Sequence, residues 1–223
     1  MFDFLDDAYT PDAVILGDGD FPTSRIPKSL LDRAKYLCCC DHAALALISR
    51  GTVPDAIVGD GDSLPDKFKS RYHNLLHFEC GQDDNDLTKA TRFCASQGHR
   101  RIAYLGATGR REDHTIGNIA LVTHYLHDLC LEPIMFTDYG VFIPAEGNAS
   151  FHTFERQQVS LFNMTCSNLK SSGLKWPAYA TKMWWQGTLN EALGKEVRIE
   201  ADGIYLVYLT YEPKTTNPIT ENK

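Results

Sequence analysis

No run of apolar residues in this 223-residue sequence approaches the roughly 20 that a membrane span needs. Basic residues are in the minority. The 22 lysines and arginines face 29 aspartates and glutamates, leaving a net charge of −7. That balance argues against non-specific nucleic-acid binding, which needs a basic face, but it does not exclude a phosphate compound held through a metal ion. Cysteines at CxxC spacing are missing, and the seven present are an odd number. A reducing, cytoplasmic location is therefore expected. The acidic start, Met1-Phe2-Asp3-Phe4-Leu5-Asp6-Asp7, has no basic n-region, so no signal peptide is expected there. Internal repeats and low-complexity segments are absent too. What remains is ordinary globular material, 43% hydrophobic and 23% charged, enough for one large domain or two small ones.

The pattern of that material changes near residue 140. Upstream, short apolar runs alternate with helical periodicity. Strands are expected over 13–16, 36–40, 56–58, 75–78, 102–105 and 133–136, and helices over 42–49, 86–97 and 115–129. Cys38, Cys39 and Cys40 fall in the second strand, where small buried side chains suit them. Downstream come short extended runs at 141–143, 151–154, 159–163, 174–176, 197–199 and 204–211, separated by Asn, Ser and Gly. The expected fold class is α/β plus all-β. A Rossmann-like α/β domain with a mainly parallel sheet spans 1–140, and a C-terminal β-sandwich spans 141–223 and ends in a loose tail from 212.

Acids gather where such a fold binds ligands, at the carboxyl ends of the strands. Asp18 and Asp20 follow the first strand, Asp41 the second, and Asp60 and Asp62 the third. Asp83, Asp84 and Asp86 open a helix, and Asp113 lies in the loop after the fifth strand. Carboxylates crowded at one edge repel one another unless a cation neutralises them. Hard oxygen ligands select Mg²⁺, Ca²⁺ or Mn²⁺ over zinc, and Mg²⁺ bridges one or two carboxylates to substrate phosphates. The loop over 106–114, GATGRREDH, supplies glycines, two arginines and a following helix N-terminus, all suited to phosphate. It lacks the Gly-Lys-Ser/Thr ending of a Walker A loop.

Three segments in order, PDAIVGDGDS (54–63), QDDNDLTKA (82–90) and GATGRREDHTIGN (106–118), together resemble the thiamine pyrophosphokinase family. SSGLKWP (171–177) and GTL (187–189) extend the resemblance into the C-terminal part. It implies transfer of a pyrophosphoryl group from ATP to thiamine, Mg²⁺ as cofactor, and a homodimer with active sites at the subunit interface. By that likeness Asp60, Asp62 and Asp86 hold the metal and, with Arg111, do the catalytic work. Asp18, Asp41, Lys89, Gly106, Thr108, Gly109, Asp113, His114 and Asn118 bind ATP. Gln82, Trp176, Asn190 and Glu191 receive thiamine, whose cationic ring wants an aromatic wall. Which carboxylate takes the hydroxyl proton is open, as is whether Trp184 and Trp185 are core or interface.

The chain also departs from the family pattern. His42 and Ala43 stand where glycines are usual after Asp41, Asn85 replaces a Thr, Arg110 replaces a Gly, and a Ser-x-Ser-Asn segment after Gly-Thr-Leu is missing. Arg111, rather than Arg110, is therefore the expected phosphate ligand of the loop. Rival readings are a diphosphokinase acting on a pterin alcohol, a phosphatase using Asp60-Gly61-Asp62, and a non-catalytic nucleotide or thiamine diphosphate binder.

Overall fold

The computed structural model describes residues 9–79, 81 and 83–215. The fold is mixed α/β, with a large, mainly parallel sheet and additional antiparallel strands. Contacts divide the described residues into two units, one running up to Ala145 and the other from Glu146 onward.

In the unit up to Ala145, β1 (Ala13–Leu16), β2 (Leu37–Cys40), β3 (Ala56–Gly59), β4 (Leu76–Phe78), β5 (Arg101–Leu105) and β6 (Glu132–Phe136) are mutually parallel. β7 (Gly140–Glu146) pairs with β6 antiparallel. The spatial order is β7-β6-β5-β1-β2-β3-β4. β1, β2 and β3 are buried along their whole length, which is why they read as continuous apolar runs and not as alternation. Cys38 and Cys39 are fully buried. Burial pushes the Cys39 and Cys40 thiols up, and for Cys38 a hydrogen bond with Cys94 adds to burial.

Helices α1 (Arg25–Asp32), α2 (Ala43–Ser49), α3 (Asp66–Arg71), α4 (Asp86–Ser96) and α5 (Glu112–His127) connect the strands. α1 and α3 go beyond the sequence reading. α1 is eight residues long and carries Pro27 in its first turn, where a missing N–H costs nothing. α3 buries no side chain, so it has no apolar stripe to read. α5 begins three residues before the expected Thr115. Arg111 is extended and Glu112 and Asp113 form the first turn, where acids suit the helix dipole. Asp113 and His114 therefore belong to the helix and not to the loop.

The unit from Glu146 onward is antiparallel. β8 (Ala149–His152), β10 (Leu169–Ser172) and β12 (Glu196–Ala201) form one sheet in the order β10-β12-β8, and β11 (Asn190–Glu191), β9 (Gln157–Asn163) and β13 (Ile204–Pro213) follow the order β11-β9-β13. Alternate residues of β9 and β12 are buried. Phe151 of the first set meets Tyr205 of the second edge-on, with ring centroids 6.4 Å apart. The strand expected over 174–176 does not form, and only Leu174 bridges, to Ala192. Gly173 has φ +83°, and a Cβ there would lie 2.2 Å from the Glu196 carbonyl oxygen. The chain turns there, and Pro177 prevents ladder pairing beyond Trp176. β13 extends to Pro213, past the expected start of the loose tail, and residues 216–223 of that tail lie outside the described residues.

Candidate active site

The strand order of the α/β unit reverses between β1 and β5. The chain steps outward from β1 through β4, then returns to the other side of β1. Loops leaving the carboxyl ends of two such strands part company and open a crevice. Here those loops are interlocked at their base. The Gly17 N–H donates to the Leu105 carbonyl at 2.8 Å, Gly19 to Gly106 at 2.6 Å and Asp20 to Thr108 at 2.8 Å. The approach requires glycine. A Cβ on Gly19 would sit 2.2 Å from the Thr108 oxygen, and one on Gly109 (φ +82°) would sit 2.1 Å from the Asp20 carboxylate.

Above this base lies a cleft of about 510 Å³. Its walls include Asp18, Asp60, Asp86, Lys89, Gly109, Arg111, His114 and Asn118 from the expected set. Lys89 is 7% exposed, with Nζ 3.2 Å from Asp86 Oδ1 and 3.9 Å from Asp60 Oδ2. A lysine this buried must be paired, and its charge offsets the repulsion between the two carboxylates. The Asp62 N–H donates to Asp60 Oδ1 at 3.0 Å and fixes that rotamer. Asp41 lies beneath the cleft, buried, in the left-handed region (φ +28°), accepting from Ser63 Oγ at 2.5 Å. Burial, and then the charges of Asp86 and Asp60, push its carboxyl above the usual range against that hydrogen bond. Gly59 makes room for it, since a Cβ there would meet the Asp41 Cβ at 2.6 Å.

Arg111 forks onto Asp113 through Nε (3.1 Å) and Nη2 (2.6 Å), both side chains being largely exposed. The Arg111 hydrogen bond holds the Asp113 carboxyl below the usual range. Gly106 and Thr108 face away from the cleft, into a neighbouring cavity of about 80 Å³. Asn118 Nδ2 donates to the Ala107 carbonyl at 2.8 Å. Among the described residues, no three His, Cys, Asp or Glu side chains converge closely enough to hold an ion by themselves.

A second pocket, about 190 Å³, belongs to the antiparallel unit and includes Trp176, Tyr179, Gly187 and Asn190 in its lining. Asn190 fixes Trp176 from both sides, with Oδ1 accepting from the Trp176 N–H at 3.2 Å and Nδ2 donating to its carbonyl at 2.7 Å. Lys175 Nζ lies over the Trp176 ring, 4.9 Å from its centroid. Glu191 is not in the lining, and its carboxylate pairs with Lys175 at 3.6 Å. Gln82 lies outside the described residues.

Residues 27–131 match a family model described as the catalytic domain of thiamin pyrophosphokinase, and residues 140–208 match one described as its substrate-binding domain. The chain belongs to the thiamin pyrophosphokinase family. These enzymes are diphosphotransferases, and the family's reaction carries pyrophosphate from ATP to thiamine. Thiamine pyrophosphokinase 1 of Oryza sativa subsp. japonica is 26% identical over 231 residues, covering 88% of this chain and 86% of the rice protein. Thiamine pyrophosphokinase of Bacillus subtilis (strain 168) is 30% identical over 86 residues, 37% of this chain and 40% of its own. In fold, the chain is similar to yeast thiamin pyrophosphokinase (TM-score 0.74, 13% identity, 93% of this chain and 88% of that one). It is also similar to the Candida albicans enzyme (TM-score 0.73, 17% identity, 90% of each). No described helix is long and apolar enough to cross a membrane.

Three residues at the family departures join the cleft. Asn85 lines it and caps α4, accepting from the Thr88 N–H at 2.9 Å, while its Nδ2 donates to Asn118 Oδ1 at 2.9 Å. Thr88 Oγ1 continues the chain to the buried Tyr125 hydroxyl at 2.7 Å. Arg110 is in the lining, and His42 reaches the lining residue Asp18. Asn85 entered the sequence reading only as a departure from the family pattern, and its role as the cap of α4 comes from the structure. The other two gave no signal of their pairing in the sequence, because their meeting point is set by three separate loops.

Proposed function

We propose that the chain performs its family's reaction with ATP bound in the cleft at the carboxyl ends of β1, β3 and β5, as a magnesium complex. The thiamine hydroxyl attacks the β-phosphorus, and AMP leaves. The observation that carries this reading is the Asp60–Lys89–Asp86 arrangement. It sets two partly exposed hard-oxygen ligands around a buried cation at the carboxyl edge of a parallel sheet. The donor set fits Mg²⁺. Protein carboxylates short of a full cage suit an ion that completes its shell with waters and phosphate oxygens. Asp60 and Asp86, which line the cleft, would hold it, with Asp62 supporting Asp60 through its N–H, and bound there it would supply positive charge to the phosphate oxygens.

The chain's own residues then position and neutralise. Lys89 offsets the repulsion between the two carboxylates. The exposed Arg111–Asp113 pair is worth little on its own, which leaves the guanidinium free to turn to the phosphates as charge develops in the transition state. Asn118 and Asn85 hold the loop after β5 against the start of α4, so the in-line geometry is set before substrate arrives. Asp18, Asp41, Gly109 and His114 complete the nucleotide side, with Gly106 and Thr108 shaping the loop from behind.

Thiamine is assigned to the Trp176 pocket of a C-terminal β-sandwich. Its cationic ring would stack on the Trp176 indole, which already carries a cation, Lys175, over its ring. Asn190 holds the indole, and Glu191 acts through its pairing with Lys175. We assign a homodimer on the strength of Tyr179, Met183, Trp185, Leu189 and Leu193, which are 56–70% exposed and which a symmetric interface would cover. The six described cysteines are free, which suits a reducing cytoplasm. Measuring AMP release from ATP with and without thiamine tests the reaction. Thiamine-dependent release that excess EDTA abolishes is expected. Release driven better by a pterin alcohol, or undiminished by EDTA, overturns the reading. Sedimentation as a monomer at micromolar concentration overturns the dimer.

A further inference from the structure

Arg110 is in the left-handed region, φ +57°, where a side chain is admitted only at a cost that glycine avoids. Its guanidinium lies in the cleft lining, with Nη1 2.8 Å from Asp18 Oδ1. On the other side of the same carboxylate, His42 Nδ1 is 3.2 Å from both oxygens. Three loops, those following β1, β2 and β5, thus bring two nitrogen groups onto one aspartate at the cleft wall. All three side chains are between 38% and 50% exposed. Ion pairs exposed to that degree contribute little to stability, so the pairing does not account for an arginine kept in a strained conformation.

We propose that Arg110 is a phosphate ligand for the nucleotide, exchanging its contact with Asp18 for one with phosphate when ATP binds. The inference rests on the reading of this cleft as the ATP site. The exchange follows from the doubled partners. An arginine leaving a lone carboxylate would strand a negative charge beside the incoming phosphates. Asp18 keeps His42 when Arg110 turns away, so its charge stays partnered. A phosphate offers the guanidinium the same forked geometry as a carboxylate and carries more charge. Lys89 cannot take this part, because it is buried between Asp60 and Asp86. Arg110 is therefore a cation of the wall whose partner is able to release it.

Calorimetric titration of the full chain with ATP and Mg²⁺ tests this apart from turnover. Arg110→Gly relieves the backbone, so the variant should fold at least as well as the wild type. Its Kd for ATP should rise about ten-fold, the scale of one charge-assisted contact, while the KM for thiamine stays put. Arg110→Lys, keeping the charge without the fork, should recover part of the loss. His42→Ala should weaken ATP about three-fold in the wild-type background and by a different factor in the Arg110→Gly background, since the two act through one carboxylate. ATP affinity unchanged in Arg110→Gly overturns the assignment, and so does an equal His42→Ala factor in both backgrounds. A wild type that binds ATP but forms no thiamine diphosphate removes the proposed reaction and leaves the Arg110 result to be read by itself. A wild type that binds no ATP overturns both.

Discussion

Charged groups in the cleft of the α/β unit come with partners: Lys89 with Asp60 and Asp86, Arg110 and His42 with Asp18, Arg111 with Asp113. The pocket of the antiparallel unit has no charged residue among the described residues of its lining and is walled by Trp176, Tyr179 and amide or hydroxyl groups. Under the proposed assignments the two would solve opposite problems. The cleft would accept a highly charged ligand such as ATP by exchanging partners within a set of charges already in place, which avoids creating bare charge. The pocket would accept a flat organic cation on a ring face, and a carboxylate kept out of the lining, as Glu191 is, would not trap it too firmly for release. The largest expected effect tests the first half of this contrast. Asp60→Asn should lower kcat/KM about a thousand-fold, or ~4 kcal/mol, with the thermal midpoint little changed. Retention of Mg²⁺-dependent thiamine diphosphate formation in that variant would remove Asp60 from the metal site.

Next in size is Arg111→Ala. Its guanidinium is assigned to charge that appears only in the transition state, so kcat should fall about a hundred-fold with the KM for ATP nearly constant. Arg110→Gly should show the reverse split. If both arginines move KM alone, the loop holds ground-state phosphate only and the division of labour within the cleft disappears.

The contrast between the units also explains what could be read in the sequence. In the α/β unit each ligand-bearing turn is local. A buried strand ends, a glycine or aspartate follows, and the parallel topology fixes which edge the turn occupies. Asp18, Asp41, Asp60 and Asp86 were therefore legible, and the sheet was too. The antiparallel unit was less so. Trp176 was found by its motif, but the strand expected around it is absent, because Gly173 packs against the Glu196 backbone and turns the chain. β10 and the two-residue β11 pair with partners distant in sequence and show little periodicity of their own. The Asp18–Arg110–His42 meeting is illegible for the same reason within the α/β unit. It needs the positive φ of Arg110 and the register of β2, β1 and β5 together. α1 and α3 escaped because one is short and the other buries nothing.

Trp176→Ala tests the second half of the contrast. Removing one ring face from a cation should raise the KM for thiamine about ten-fold, ~1.4 kcal/mol on the cation–π scale, and leave ATP binding unchanged. Loss of ATP affinity in this variant would mean that the aromatic pocket serves the nucleotide, and that the neutral lining is no acceptor site.

The smallest effect concerns the hydrogen-bond chain that gives the cleft its rigidity, Tyr125–Thr88–Asn85–Asn118–Ala107. Asn85 does two things in it. Its Oδ1 caps α4, the helix that carries Asp86 and Lys89, and its Nδ2 ties that helix to the loop after β5. The two can be separated. Asn85→Ala loses both and should cost about 1 kcal/mol in thermal or denaturant unfolding, the usual worth of an N-cap. Asn85→Thr keeps a capping oxygen but has no amide to reach Asn118, so it should recover most of the stability while the KM for ATP stays raised a few-fold. In neither variant should the KM for thiamine move, because the Trp176 pocket takes no residue from this chain of bonds. A thiamine KM that rises in step with that for ATP would show that the acceptor also depends on the cleft's preorganisation, and the two regions would then have to be treated as one coupled site.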